Sequence, residues 1–295
     1  MKAASINAIV GPSGAGKTTL LNVIAQIIGT KQGRVEGDII INGNKVLNPM
    51  QIKLISGFLE QDDVFFTTFT PREILYFCAK MRINGTAEYK EQVVDELIND
   101  LNLNKCVDSK IGDFQKKGIS GGEKRRISLA IELMMNPSIV FLDEPTSGLD
   151  SFTALLVMGV LKREANKGRM IVCSIHQPSY EILNIIDNLI VLAGGKNIYN
   201  GPPSGLINFT NEVTTIRFNG DYNPVEYLLK LLGNEKSAAD KNPDLLERQS
   251  LPLANALCDN NKKKFLGENG DQADIYSNSN TELKNYSAGF LKQFL

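Results

Sequence analysis

Residues 6–27 read INAIVGPSGAGKTTLLNVIAQI: a short apolar run, a glycine-rich loop GPSGAGKTT at 11–19, and a helix-forming stretch. A brief apolar run bounded by glycine and proline is a strand candidate, and the run after Lys17 suits a helix. Gly11, Gly14 and Gly16 let the backbone turn tightly with its N–H groups pointing inward, while Lys17 and Thr18 fall where the helix begins. Together Gly11, Pro12, Ser13, Gly14, Ala15, Gly16, Lys17, Thr18 and Thr19 make a phosphate cradle. Lys17 brings a mobile positive charge for β- and γ-phosphates, the Thr18 hydroxyl is a hard oxygen ligand suited to Mg²⁺, and the helix dipole adds about half a positive charge. Kinases, GTPases and ATPases share this loop, so by itself it leaves the reaction open.

Composition narrows the field. At 295 residues, 42% hydrophobic and 22% charged, the chain can bury a core as one large domain or two smaller ones. Its 32 Lys and Arg against 33 Asp and Glu give a net charge of −1, so no broad basic surface argues for a nucleic-acid partner. The clumps Lys124-Arg125-Arg126 and Lys262-Lys263-Lys264 read as solvated faces. Cys78, Cys106, Cys173 and Cys258 are scattered without a C-x-x-C pair, the pattern of free thiols in a reducing compartment. No apolar run approaches the roughly 18–20 residues that cross a bilayer, and the N-terminus lacks a signal-peptide pattern. The sequence given is therefore expected to behave as a soluble cytosolic piece.

Beyond the first helix, VEGDIIINGNKV (35–46) reads as a twisted hairpin, and ISGFL (55–59) as a strand that ends in Glu60-Gln61-Asp62-Asp63. Polar residues straight after a buried strand are where α/β proteins keep ligand contacts. Thr70-Pro71-Arg72-Glu73 opens a helix over 71–82 with a hydroxyl cap, a proline first and a glutamate third; a second helix spans 88–101. With the segment to Lys117 they form a helical insertion into the sheet core. ISGGEKRR (119–126) then leads an amphipathic helix, and Ser120, Gly121 and Gly122 at its start offer either a second anion seat or simply a serine cap with flexible glycines.

The continuous apolar run SIVFL (138–142) is the mark of a buried parallel strand, and it delivers Asp143 and Glu144 at its end. In a chain with a phosphate loop, two adjacent acids there suggest one carboxylate for the metal and one for water. Pro145 to Asp150 turn into a helix that starts at Ser151 and runs to about Ala165. MIVCSI (170–175) repeats the pattern of buried strand and terminal polar group, ending in the chain's single histidine, His176. NLIVLA (188–193) and KNIYN (196–200) close as a hairpin across Gly194-Gly195, and NPVEYLLKLL (223–232) is a short capped helix. From about Glu235 to Asn285 the composition turns to that of a linker, before an apolar AGFLKQFL (288–295).

With these residues in place, the sequence resembles the nucleotide-binding domain of an ATP-binding cassette (ABC) transporter, most closely the G-type or White-type half-transporters. The resemblance runs from about Ile6 to about Leu232. GPSGAGKTT resembles the Walker A loop, Gln61 in FLEQDD the Q-loop, and ISGGEKRR the ABC signature. IVFLDEPTSGLDS resembles Walker B, catalytic glutamate and D-loop together, and SIHQPS the switch histidine. The signature separates this family from other P-loop proteins. The wording of FLEQDD, EPTSGLDS, SIHQPS and YNGPP (199–203) points to the G-type.

The resemblance implies an α/β fold with a RecA-like parallel-sheet core, an inserted α-helical subdomain at about 70–135 and a small β subdomain. It implies a nucleotide-binding domain over 1–232, a polar linker over 233–285, and at 286–295 the start of a helix connecting to a membrane domain beyond residue 295. It implies ATP and Mg²⁺: Lys17 and the loop amides on the phosphates, Thr18, Gln61 and Asp143 around the metal, Glu144 polarising water, and His176 on the γ-phosphate. Ser120, Gly121 and Gly122, with Asp150 of the D-loop, would complete the site of a second such domain, identical or related. Location on the cytosolic face of a membrane and export of a lipid-like or amphipathic substrate follow from the same resemblance. Family members usually carry about two further strands before Walker A, with an aromatic residue that stacks on adenine. Here ten residues precede Gly11, so the expectation is a shortened N-terminus or a weakly held adenine. A soluble ABC ATPase of translation or DNA repair, and an ATP-sensing module with slow turnover, are the competing readings.

Overall fold

The computed structural model describes residue 1 and residues 3–27, 35–46, 48–112, 118–213 and 223–229. The elements run β1 (Ser5–Val10), α1 (Lys17–Ile24), β2 (Ile40–Ile41), β3 (Asn44–Lys45), α2 (Pro49–Ile55), β4 (Ser56–Leu59), α3 (Pro71–Arg82) and α4 (Ala87–Asp100). They continue as α5 (Gly121–Leu133), β5 (Ile139–Leu142), α6 (Ser151–Asn166), β6 (Met170–Ile175), α7 (Tyr180–Ile185), β7 (Asn188–Ala193), β8 (Lys196–Gly201) and α8 (Leu206–Val213). The expected linker over 233–285 and connecting helix over 286–295 lie outside the described residues.

One six-stranded sheet, in the order β4-β5-β6-β1-β7-β8, organises the chain. Every neighbouring pair is parallel except β7 and β8, which form the antiparallel hairpin that Gly194-Gly195 closes at positive φ. Because side chains alternate along a strand, the two faces of β1 feed two cores. Ile6, Ala8 and Val10 join the core built with α3, α5 and α6, while Ile9 joins the core under α1 and α2. The same alternation holds in β5, where Val140 and Leu142 face one way and Ile139 and Phe141 the other. Burial on both faces explains why these strands read as unbroken apolar runs.

Parallel strands that share a direction also share an edge. The C-terminal ends of β4, β5, β6, β1 and β7 lie together, so Glu60-Gln61, Asp143-Glu144, His176 and the loop after Val10 all leave the sheet on one side. Ligands bind at that side in open α/β sheets. A separate two-stranded ribbon, β2 and β3, turns on Asn42 and Gly43, both with left-handed backbone (φ 51 and 77), the turn that an Asn-Gly pair specifies.

Between the adjacent strands β4 and β5 the chain inserts α3, α4 and α5. Thr70 starts α3 with a full capping box: its hydroxyl accepts from the Glu73 N–H at 3.2 Å, and the Glu73 carboxylate accepts from the Thr70 N–H at 2.8 Å. The expected short helix at 223–232 is seen over the described residues 224–229, with the Asn223 side-chain oxygen accepting from the Val225 N–H at 3.0 Å. Helix α2 has no counterpart in the sequence reading, although Asn48 accepting from the Met50 N–H, with Pro49 at the first position, is an ordinary helix start. Cys78, Cys106 and Cys173 are free. Burial pushes the Cys106 thiol up to about 11 and the Cys173 thiol up to about 12.

Candidate functional site

Strand β1 hands directly to the loop 11–16, and α1 begins at Lys17. Gly14 and Gly16 take left-handed backbone (φ 76 and 94), which L side chains adopt only with strain. Gly11 is needed for a different reason: a Cβ there would stand 2.3 Å from the Leu192 carbonyl oxygen, so the loop passes against β7 with no room for a side chain. No side chain caps α1, so its first-turn N–H groups have no side-chain acceptor at the cap. That is the local chemistry of an anion seat.

Lys17 is buried, and its Nζ donates to the carbonyls of Gly11 at 3.1 Å and Pro12 at 3.3 Å. Burial pulls its pKa below the ordinary 10.5, while the nearby carboxylates of Glu144 and Asp143 work to raise it. The ammonium thus sits beside two acids at the strand ends.

Those acids belong to a continuous hydrogen-bonded chain. The Thr18 hydroxyl donates to Asp143 Oδ1 at 3.1 Å. Ser174, buried at the end of β6, donates to the same oxygen at 2.5 Å and accepts from the Glu144 N–H at 2.8 Å. Gln61 Nε2 donates to Glu144 Oε2 at 3.1 Å. Asp143 is buried, and Glu144 holds left-handed backbone (φ 47), a conformation a glutamate keeps only when its surroundings fix it.

These groups suit the ligands the motifs imply. An uncapped helix start with a buried lysine fits a polyphosphate, and a hydroxyl beside a carboxylate fits a hard divalent cation that takes its other oxygens from phosphate and water. Among the described residues no group of three or more His, Cys, Asp or Glu is placed to hold a metal without such help.

Of the remaining candidates, His176 lies on the same edge, exposed just past β6, with no hydrogen bond among the described residues. Ser120 caps α5. Its hydroxyl accepts from the Glu123 N–H at 3.3 Å and donates to Glu123 Oε2 at 2.9 Å, and that oxygen also accepts from the Ser120 N–H at 2.7 Å. Burial alone would raise the Glu123 carboxyl, yet these donors outweigh it and its pKa falls below 4.5. Ser120 and Gly121 are exposed, whereas Gly122 is buried against α6, where a Cβ would meet Thr153 Cγ2 at 2.0 Å. Asp150 caps α6, accepting from the Thr153 N–H at 3.0 Å and from the Thr153 hydroxyl at 2.6 Å. The 120–122 start and Asp150 therefore sit side by side, and among the described residues no hydrogen bond joins either to the 11–19 loop.

Two features correct or extend the sequence reading. Lys124-Arg125-Arg126 is not a solvated face: Arg125 is only 4% exposed, and Lys124 Nζ donates to the Gly112 carbonyl at 3.0 Å. Spacing carried the signal, since Gly122, Arg125, Leu129 and Leu133 are all buried on α5 at helical intervals. Ser174 was hidden in the apolar run MIVCSI. A hydroxyl within such a run needs a buried partner, and Asp143 is the partner it has.

A family model described as ABC transporter matches residues 1–147. ABC transporter G family member 19 of Arabidopsis thaliana is 41% identical over 209 residues, covering 70% of this chain and 29% of that protein. The broad substrate specificity ATP-binding cassette transporter ABCG2 of Bos taurus is 40% identical over 235 residues, 79% of this chain and 35% of the relative. Its Sus scrofa counterpart is 36% identical over 297 residues, 98% of this chain and 44% of the relative. The chain thus spans less than half the length of these relatives. A phosphate loop at the head of a parallel sheet, acids at the neighbouring strand end and a Ser-Gly-Gly helix start agree with those matches: the chain belongs to the ATP-binding cassette family, as an α/β P-loop nucleotide-binding ATPase domain of the G type.

Proposed function

We propose that two such domains, two copies or one copy and a related half, close on two Mg-ATP and that hydrolysis drives export of a lipid-like or amphipathic substrate. The observation that carries the ATPase assignment to particular residues is the unbroken chain Thr18–Asp143–Ser174–Glu144–Gln61 beside Lys17. In this reading Lys17 and the amides of residues 11–19 hold the phosphates, and Thr18, Gln61 and Asp143 hold Mg²⁺. Bound Mg²⁺ would neutralise charge on the phosphate oxygens. Glu144 orients and polarises the attacking water, Ser174 fixes the Glu144 backbone, and His176 meets the γ-phosphate. The exposed Ser120 and Gly121, with Gly122 behind them and Asp150 adjacent, supply the opposite wall of the partner's site.

The same reading divides the chain into a nucleotide-binding domain at 1–232 with a helical subdomain at about 70–135, a linker at 233–285 and a connecting helix from 286. A membrane domain would follow residue 295, which sets the domain on the cytosolic face of a membrane. The names of the relatives, transporters that include one of broad substrate specificity, support a role in transport. Among the described residues no helix is long and apolar enough to cross a membrane.

Glu144→Gln tests the assignment. It keeps the side chain's size and one acceptor oxygen while losing the charge that polarises water, so Mg-ATP binding and ATP-dependent dimerisation should persist while turnover falls by about 10²–10³. Undiminished turnover removes Glu144 from the mechanism, and a variant that stays monomeric with Mg-ATP removes the shared site.

A further inference from the structure

Arg125 belongs to none of the site residues above, yet its side chain makes four hydrogen bonds at this edge. Its Nη1 donates to the carbonyls of Glu60 at 2.6 Å and Gln61 at 3.2 Å and to Asp63 Oδ1 at 3.0 Å. Its Nη2 donates to the Asp143 carbonyl at 2.8 Å. One guanidinium therefore spans the backbone that carries Gln61 and the backbone that carries Asp143, just past the ends of two neighbouring strands. A planar fork of fixed donors can hold two such points in register, which a single ammonium cannot.

The contact extends along the helix. Ser128 donates to Asp63 Oδ1 at 2.6 Å, and Glu132 Oε2 accepts from the Phe58 N–H at 3.2 Å. Arg125, Ser128 and Glu132 follow one another at intervals of three and four, a single stripe of α5 laid against β4 and the segment after it. The N-terminus of that helix is Ser120.

We propose that Arg125 is a positioning residue that couples the two ATP sites: it ties the Ser120 start, which faces a second domain's nucleotide, to the metal-holding groups of its own chain. The inference rests on the proposed function, because it takes Gln61 and Asp143 as metal-holding groups and Ser120 as a partner-facing one. Loss of the guanidinium lets the two backbones drift apart while the 11–19 loop, which Arg125 does not touch, keeps its shape.

The test is a Mg²⁺ titration of ATPase activity in the whole protein, set beside the affinity for a fluorescent ATP analogue in EDTA. Arg125→Gln should raise the Mg²⁺ concentration for half-maximal activity by about tenfold or more, as loss of a group behind a metal ligand does, and leave metal-free affinity unchanged. Arg125→Lys should lie between it and the unaltered protein. Ser128→Ala, which removes one small contact from Asp63, should give a smaller shift in the same direction and keeps the test open if Arg125→Gln does not fold. Unaltered Mg²⁺ dependence in both Arg125→Lys and Ser128→Ala overturns the inference. So does a loss of metal-free affinity in step with the Mg²⁺ shift, which marks a merely structural role. An unaltered protein that binds no Mg-ATP overturns the functional reading and this inference with it; one that titrates normally while the variants match it overturns only this inference.

Discussion

The starts of α1 and α5 are both glycine-bearing helix N-termini, and they treat their unpaired N–H groups in opposite ways. Helix α1 has Gly16 in left-handed backbone at its cap, no side-chain acceptor, and a buried lysine as its first residue. Helix α5 feeds its own donors through the reciprocal Ser120–Glu123 box. The first is costly to fold without an anion, since burial disfavours the Lys17 charge; the second has its Ser120 and Glu123 N–H groups paired before anything binds. What distinguishes a ligand seat from an ordinary helix start is therefore which donors the chain leaves to others. An incoming phosphate gains the α1 amides outright, whereas at α5 it must compete with Glu123 for the Ser120 hydroxyl.

Replacing Lys17 should break the comparison most sharply. Lys17→Met removes a cation whose burial is costly, so thermal stability without nucleotide should hold or rise, while Mg-ATP affinity falls by about a hundredfold, some 2.7 kcal/mol. Nucleotide titration followed by thermal melting checks both halves. In the unaltered chain the same lysine gives a pH signature. Its pKa is depressed below 10.5, so fewer protons bind in the folded state, intrinsic stability rises with pH through that interval, and ATP affinity falls over the same interval. Affinity that stays flat up to the ordinary lysine range contradicts the depression.

At the other helix, Gly122→Ala drives a methyl onto Thr153 Cγ2 and should lower stability by about 1–3 kcal/mol. Thr153→Ser removes that methyl, keeps the hydroxyl bonded to Asp150, and should restore most of the loss; a denaturation cycle over the four proteins measures the recovery. The mildest change is Ser120→Ala, which deletes the cap for about 1 kcal/mol in chemical unfolding. Acid should act on the same cap. With the folded pKa of Glu123 below 4.5, its contribution is complete above that value and is lost as pH falls through the folded pKa. The Ser120→Ala protein should show a smaller component of that acid transition, because the backbone N–H of residue 120 still donates to Glu123.

The strands were legible because burial on both faces leaves few polar positions to break the pattern, and β6 and β7 run over the very residues the sequence marks. The acids after Leu142 were legible for the same reason: a wholly apolar run can end only where the sheet does. Arg125 and Ser174 were misread or missed because each is a polar group whose partners lie far away in sequence, the carbonyls of Glu60, Gln61 and Asp143 for one and the Asp143 carboxylate for the other. Helical spacing places Arg125 on the buried side, but nothing local names what it meets there. Helix α2 escaped because seven residues carry too little periodicity to register.

Cys173 stands next to Ser174 in β6, fully enclosed and paired across the sheet with Leu142 on one side and Ala8 on the other. Its thiol stays protonated in neutral solution and has no path to a reagent while the strand is seated. Alkylation of that sulfur therefore counts the openings of the sheet immediately behind Asp143, a clock placed by the chain itself beneath its own acidic strand ends.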